Sequence, residues 1–203
     1  YARDALDMRK KLLGDSHRAV GDSFIQLAEV LFSKGSYPEA ANAAEAGVAI
    51  HEQLIDSDPG KVSGALQMLA TIVGNGLGDY PRAEELYTRA YEIEVGASGE
   101  NHLRAAHAGA NLATHYLVQG DYERAERLLK EAIPKVRQHL GDDHPIVASF
   151  VENLGGVMLR LNRFDEALQF ANQALSIRKN RLGEENANVI RTMINIAIVQ
   201  YFA

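Results

Sequence analysis

Apolar residues recur along much of this chain at steps of three and four. From Pro145 onward, Val147, Val151, Leu154, Met158 and Leu161 follow one another at steps of 4, 3, 4 and 3, which is one face of a 3.6-residue helix. A polar break at Asn162 and Arg163 leads to a second stripe of Phe164, Ala167, Leu168, Ala171 and Leu175. Pro145 suits a first helical turn, where its missing N–H costs nothing, and Asp142 and Asp143 favour the positive end of the helix dipole. Gly183 is placed to end the second helix. The pattern predicts two amphipathic helices of about 17 residues, roughly 25 Å each.

This helical hairpin repeats. A Gly-acidic-x-His opening stands at Gly141, and related openings stand at Gly14 (GDSH), Gly99 (GENH) and Gly183 (GEEN). Gly99 to Gly141 and Gly141 to Gly183 both span 42 residues. A second landmark, aromatic-x-x-Ala, falls at Tyr37/Ala40, Tyr80/Ala83, Tyr122/Ala125 and Phe164/Ala167, spaced 43, 42 and 42. Two landmarks keeping one period define a repeat array. The predicted organisation is a half unit at 1–13, units at 14–55, 56–98, 99–140 and 141–182, and a further first helix at 183–203. Small residues hold fixed columns: Ala28, Ala70, Ala113, Gly155 and Ala197 in one, Ala5, Gly47, Ala90, Ala132 and Ala174 in another. Small side chains let helix axes approach closely, so the expected fold is all-α, a right-handed α-solenoid of stacked antiparallel helix pairs.

One unit departs from the period. Leu69 to Ala83 spans 14 residues where Leu27–Ala40, Leu112–Ala125 and Leu154–Ala167 span 13. The extra residue falls in GNGLGDY (Gly74 to Tyr80), read as a loop insertion and the most flexible joint of the array, because each Gly weakens a helix by up to about 1 kcal/mol. The first residues, YARDALDMRKKLLG, align with FANQALSIRKNRLG from Phe170 to Gly183. They read as the end of a unit, so the sequence is expected to be an excerpt of a longer chain. The last helix carries Ile196, Val199, Tyr201 and Phe202 with no second helix to cover them, and self-association through that helix is expected, unless further chain of the parent protein covers it.

The chain has 203 residues and a formal charge of −6, with no local Lys/Arg cluster to offset it, which argues against nucleic acid and acidic membranes as partners. Its longest apolar runs fall short of a membrane span. The absence of Cys fits a reducing, cytoplasmic location. His17, His102 and His144 share one join position in different units, too far apart to converge on a metal, and are read as helix-start packing. His107 and His115 share a helix face with Asn111, but no carboxylate joins them. No nucleophile motif or phosphate-binding loop is present, so neither enzyme activity, cofactor nor metal is expected.

The Leu154, Gly155, Met158, Ala167, Ala174 series, repeated as Leu112, Ala113, Tyr116, Ala125, Ala132, resembles the tetratricopeptide repeat. The 42-residue unit with its Leu-Gly-x-x-His-Pro join is similar to the subtype of kinesin light chains and of many bacterial signalling proteins, although Trp and the terminal Pro of the usual pattern are missing. The resemblance implies a non-catalytic scaffold that binds a peptide or protein segment in a groove lined by the first helices. The second reading is a regulatory or self-associating arm of a larger signalling enzyme such as a bacterial Ser/Thr kinase. One column stands out on the implied groove face: Asn111, Asn153 and Asn195, preceded by Gln26 and Met68 at the equivalent positions. In the kinesin-light-chain relatives the matching Asn bond the backbone of an extended peptide. Gln67, His107, Thr114, Glu152, Arg160 and Arg191 are the neighbours expected to set specificity.

Overall fold

The computed structural model describes residues 2–53, 55–99 and 102–202, with the backbone alone for 202. Glu100 and Asn101 of the third opening, and the side chain of Phe202, lie outside the described residues. Within these, the structure is helical without strands. It divides into two compact units, Tyr1–Glu100 and Asn101–Ala203.

The first unit holds α1 (Ala2–Leu13), α2 (Arg18–Ser33), α3 (Tyr37–Glu52), α4 (Pro59–Thr71) and α5 (Tyr80–Ser98). Helices α2 and α3 form one hairpin and α4 and α5 the next, with α3 packed on α4 and the first helices α2 and α4 touching. The small columns do what their size allows. Ala28, Ala40, Ala70, Ala83 and Ala90 are wholly buried, and so are the larger Val62, Leu66, Ile72 and Val73.

The second unit holds α6 (Leu103–Gln119), α7 (Tyr122–Leu140), α8 (Pro145–Arg160), α9 (Phe164–Leu182) and α10 (Ala187–Phe202). Hairpins α6/α7 and α8/α9 stack through α7 and α8, α6 touches α8, and α10 lies on α9. Val147, Val151, Leu154 and Met158 are buried as the periodicity requires. Gly155 is a close-approach position, since an added Cβ would stand 3.3 Å from the Phe170 side chain and 3.4 Å from the Ala167 carbonyl oxygen.

The repeated openings acquire a physical role. Gly14, Gly99, Gly141 and Gly183 end their helices at φ of +80° to +84°, a conformation open to Gly and strained for other residues. Three residues on, the His is an N-cap: Nδ1 of His17, His102 and His144 accepts from the backbone N–H of Ala19, Arg104 and Ile146 at 3.1, 3.2 and 3.2 Å. Asn186 does the same in the last opening, its Oδ1 accepting from Asn188 N at 2.9 Å. The repeated imidazole thus satisfies an orphan helix N–H.

Two expectations are corrected. The extra residue near Gly74 is not a loose loop. It is absorbed as a π-helical turn, Ile72–Gly76, continuing α4. The Leu77 N–H reaches the Ile72 carbonyl at 3.1 Å and the Asp79 N–H reaches Val73 at 3.1 Å, while Ile72, Val73 and Gly74 are buried. A widened turn keeps its hydrogen bonds while adding one residue, which a loop would not. On α10, Val199 is buried and Ile196 half-buried; the open apolar face is instead Ile190, Met193, Ile194 and Ile198, with Tyr201 beyond. No helix among the described residues is long and apolar enough to cross a membrane.

Candidate binding surface on the first helices

In the second unit the first helices α6, α8 and α10 bring part of the expected set together. The His107 imidazole meets the Phe150 ring edge-on, at 5.3 Å between centroids and 88° between planes, and burial lowers its pKa. Asn111 and Thr114 stand exposed on α6, the Thr114 hydroxyl donating back to the Ala110 carbonyl at 2.9 Å. Asn153 is half-buried on α8 and makes no hydrogen bond with the described residues. Arg160 and Arg191 are exposed, with no ion-pair partner among the described residues.

Glu152 and Asn195 do not offer themselves as the sequence suggested. The Asn195 amide donates to Glu152 Oε1 at 3.0 Å, and Thr192 Oγ1 donates to the same oxygen at 3.3 Å. The other oxygen takes Arg178 Nη2 at 2.7 Å. Arg178, on α9 with its side chain only 3% exposed, also donates to Thr192 Oγ1 and, at 3.4 Å, to Ser149 Oγ. One guanidinium therefore ties α8, α9 and α10 together. Burial alone would raise the Glu152 pKa. The hydrogen bonds from Arg178 and Asn195 and the charges of Arg178 and Arg191 outweigh it, and the carboxyl sits below its usual range.

Beside this network lies a pocket of about 670 Å³. Gly155 and Gly156 of α8 form its glycine floor, and Leu117, Val118, Ile198 and Val199 line it together with the polar Tyr122, Glu152, Arg160 and Asn195. Gly156 makes the space: a Cβ added there would meet nothing within 4 Å.

The first unit answers with different chemistry. Gln26 is exposed and Met68 half-buried. Gln67 donates to Ser63 Oγ at 3.0 Å, and Ser63 passes the bond to the Ala90 carbonyl at 3.2 Å, so Gln67 braces α4 against α5. Between α2 and α4, Lys61 Nζ pairs with Asp22 at 2.7 Å. His51 of α3 lies behind them, 2% exposed, its Nε2 3.5 Å from Asp22. Among the described residues its Nδ1 is buried without a partner. A smaller pocket of about 360 Å³ opens over this group.

Arg178, Thr192 and His51 escaped the sequence reading. A signal existed, because Arg9 and Ser23 stand 14 residues apart like Arg178 and Thr192, and Arg9 also donates to Ser23 Oγ. Among the described residues no group of three or more His, Asp or Glu side chains is arranged to hold a metal.

The family model described as tetratricopeptide repeat matches residues 64–138, 104–180 and 147–203, together most of the chain. No curated protein matches it in sequence. Among solved structures, BtubC (BKLC) from P. vanneervenii superposes with a TM-score of 0.85 at 24% identity, over 99% of this chain and 81% of that one. A putative kinesin light chain of nearly identical TPR-like repeats from Podosopora anserina gives 0.78 at 20% identity, over 92% and 87%. The apo form of RapI gives 0.69 at 15% identity, over 89% and 69%. At such identities the likeness is one of fold. The matched repeats, with the capped 42-residue hairpins and the buried small-residue columns, make this chain a member of the tetratricopeptide repeat family.

Proposed function

We propose that the chain is a protein-interaction scaffold that binds an extended peptide segment along the first helices of its second unit. The carrying observation is the Asn column. Asn111, Asn153 and Asn195 occupy one register on α6, α8 and α10, and Asn153 makes no hydrogen bond with the described residues. A carboxamide offers both a donor pair and an acceptor, so a column of them can satisfy the N–H and C=O groups of a strand-like ligand with little regard to its sequence. Glu152 modifies the reading: one N–H of the Asn195 amide is taken by that carboxylate, which leaves Asn195 its carbonyl oxygen and one N–H for a ligand.

The test uses peptides selected on the wild-type protein from a displayed random library. Each lost neutral hydrogen bond costs about 0.5–1.5 kcal/mol, so Asn111→Ala with Asn153→Ala weakens a selected peptide by roughly 5- to 150-fold, while the melting temperature stays within a few degrees. Affinity unchanged by the double substitution removes the Asn column from the mechanism. A large fall in melting temperature returns these residues to a structural role.

A further inference from the structure

The pocket over Gly156 has a shape and charge that the peptide reading does not require. At about 670 Å³ it lies within the roughly 300–1,000 Å³ that encloses a whole small ligand, whereas a single side chain of an extended peptide needs less. Its lining is mostly apolar, with Tyr122, Glu152, Arg160 and Asn195 as the polar members, and the two charged ones differ in what they have left to give. Glu152 is neutralised by Arg178 and further bonded by Thr192 and Asn195. Arg160 has no ion-pair partner among the described residues. The two are eight residues apart on α8, hence about 12 Å along the helix, with the glycine floor between them.

We propose that this pocket binds a small amphipathic carboxylate, its apolar body on Gly155 and Gly156 and its carboxylate on the Arg160 guanidinium. The charge selects the head group. A carboxylate gains a planar, bidentate partner in arginine, while an ammonium would be repelled by Arg160 and would find Glu152 already compensated. The position of Gly156 selects the body. In the equivalent register the other first helices carry Glu29, Thr71, Thr114 and Ile198, each with a side chain where α8 has none.

Octanoate, octanol and octylamine are titrated calorimetrically against the protein well below the concentration at which they self-associate. Octanoate is expected to bind saturably, at least about tenfold more tightly than octylamine. Gly156→Leu fills the floor and is expected to abolish octanoate binding while the protein melts at the same or a higher temperature, since a Cβ there meets nothing within 4 Å, the further carbons enter the pocket, and Gly is a poor helix former. Arg160→Gln, a change at an exposed residue, keeps the test available if the leucine variant does not fold. It is expected to weaken octanoate several-fold and leave octanol unchanged. No saturable octanoate binding, equal binding of all three amphiphiles, or octanoate affinity unchanged in Arg160→Gln each overturns the proposal.

Discussion

One column of the repeat is filled by Arg9, His51, Glu94, Val136 and Arg178, spaced 42, 43, 42 and 42, and the second and last of these show what a single position can do in two units. Arg178 reaches from α9 to both α8 and α10, because a guanidinium has five donors in a rigid fork. It holds a carboxylate and two hydroxyls at once. His51 has the same place behind α2 and α4, but its ring is short. It stops 3.5 Å from Asp22, and Lys61 of α4 makes the ion pair that links the helices. The second unit therefore buries its cation, while the first keeps its cation at the surface and buries a neutral ring. The repeat scaffold tolerates both, because the small columns rather than this polar column set the helix spacing.

The sharpest way to break that comparison is to remove the two side chains separately. Arg178→Met leaves Glu152 in a partly buried site without its counter-charge and is expected to cost about 3–5 kcal/mol, of which adding Glu152→Leu restores most. His51→Leu at pH 8 is expected to cost less than about 1 kcal/mol or to stabilise, because it removes a buried nitrogen that has no partner among the described residues. Urea denaturation of the three variants decides it. Equal losses for Arg178→Met and His51→Leu would mean that the two sites do the same structural work.

Glycines give a contrast of opposite sign. A Cβ at Gly76, in the π-helical turn, would lie 2.7 Å from Tyr37 Cδ1, so Gly76→Ala is expected to cost about 1–3 kcal/mol through overpacking. Gly156→Ala, in open space, is expected to gain about 0.5–1 kcal/mol from helix propensity alone. Denaturation midpoints that move in the same direction for both would refute the assignment of one turn as packed and the other site as hollow.

The two polar centres should also separate by pH. Burial lowers the His51 pKa below its ordinary value of 6.5, against the opposing pull of Asp22 and with help from Lys61. Below about pH 6.5 the unfolded chain takes up a proton that the folded His51 refuses. Stability is thus full above that value and is lost as the pH falls, until folded His51 itself titrates. Glu152 is lowered too, but from 4.5, so its contribution is lost only in more acidic solution. Melting temperatures between pH 8 and pH 5.5 are expected to fall less in His51→Leu than in wild type, with His107, also lowered by burial, sustaining part of the slope. An unchanged slope would show that His51 does not carry it.

The smallest effect concerns exchange of single amides. The Leu77 and Asp79 N–H groups are bonded across the π-helical turn, and exchange there is expected to be no faster than at Gly35 and Ser36 in the turn between α2 and α3. Faster exchange at Leu77 would restore the loose joint that three glycines suggested.

The period of 42, the helical hairpins and the small-residue columns could all be read from the chain, because each follows from spacing along one helix and recurs several times. Repetition turns a weak local preference into a strong signal. The Asn register was legible for the same reason, and the structure leaves Asn111 and Asn153 on the first helices of one unit. Partnership across helices was not legible. Nothing in the sequence said that Glu152 would be claimed by Arg178, which lies 26 residues later, or that Asn195 would donate inward and lose one amide N–H to that carboxylate. The inserted residue near Gly74 was legible as a count, but whether it became a loop or a widened turn depended on the Ile72 and Val73 contacts that bury it. The repeated His was visible as a landmark and silent about its role, since a cap exists only once the helix N–H groups are in place. Gly156 read as one more small residue. Only the side chains of α6, α9 and α10 gathered around it made it part of a pocket, because empty space is a property of what packs around a residue and leaves no mark on the residue itself.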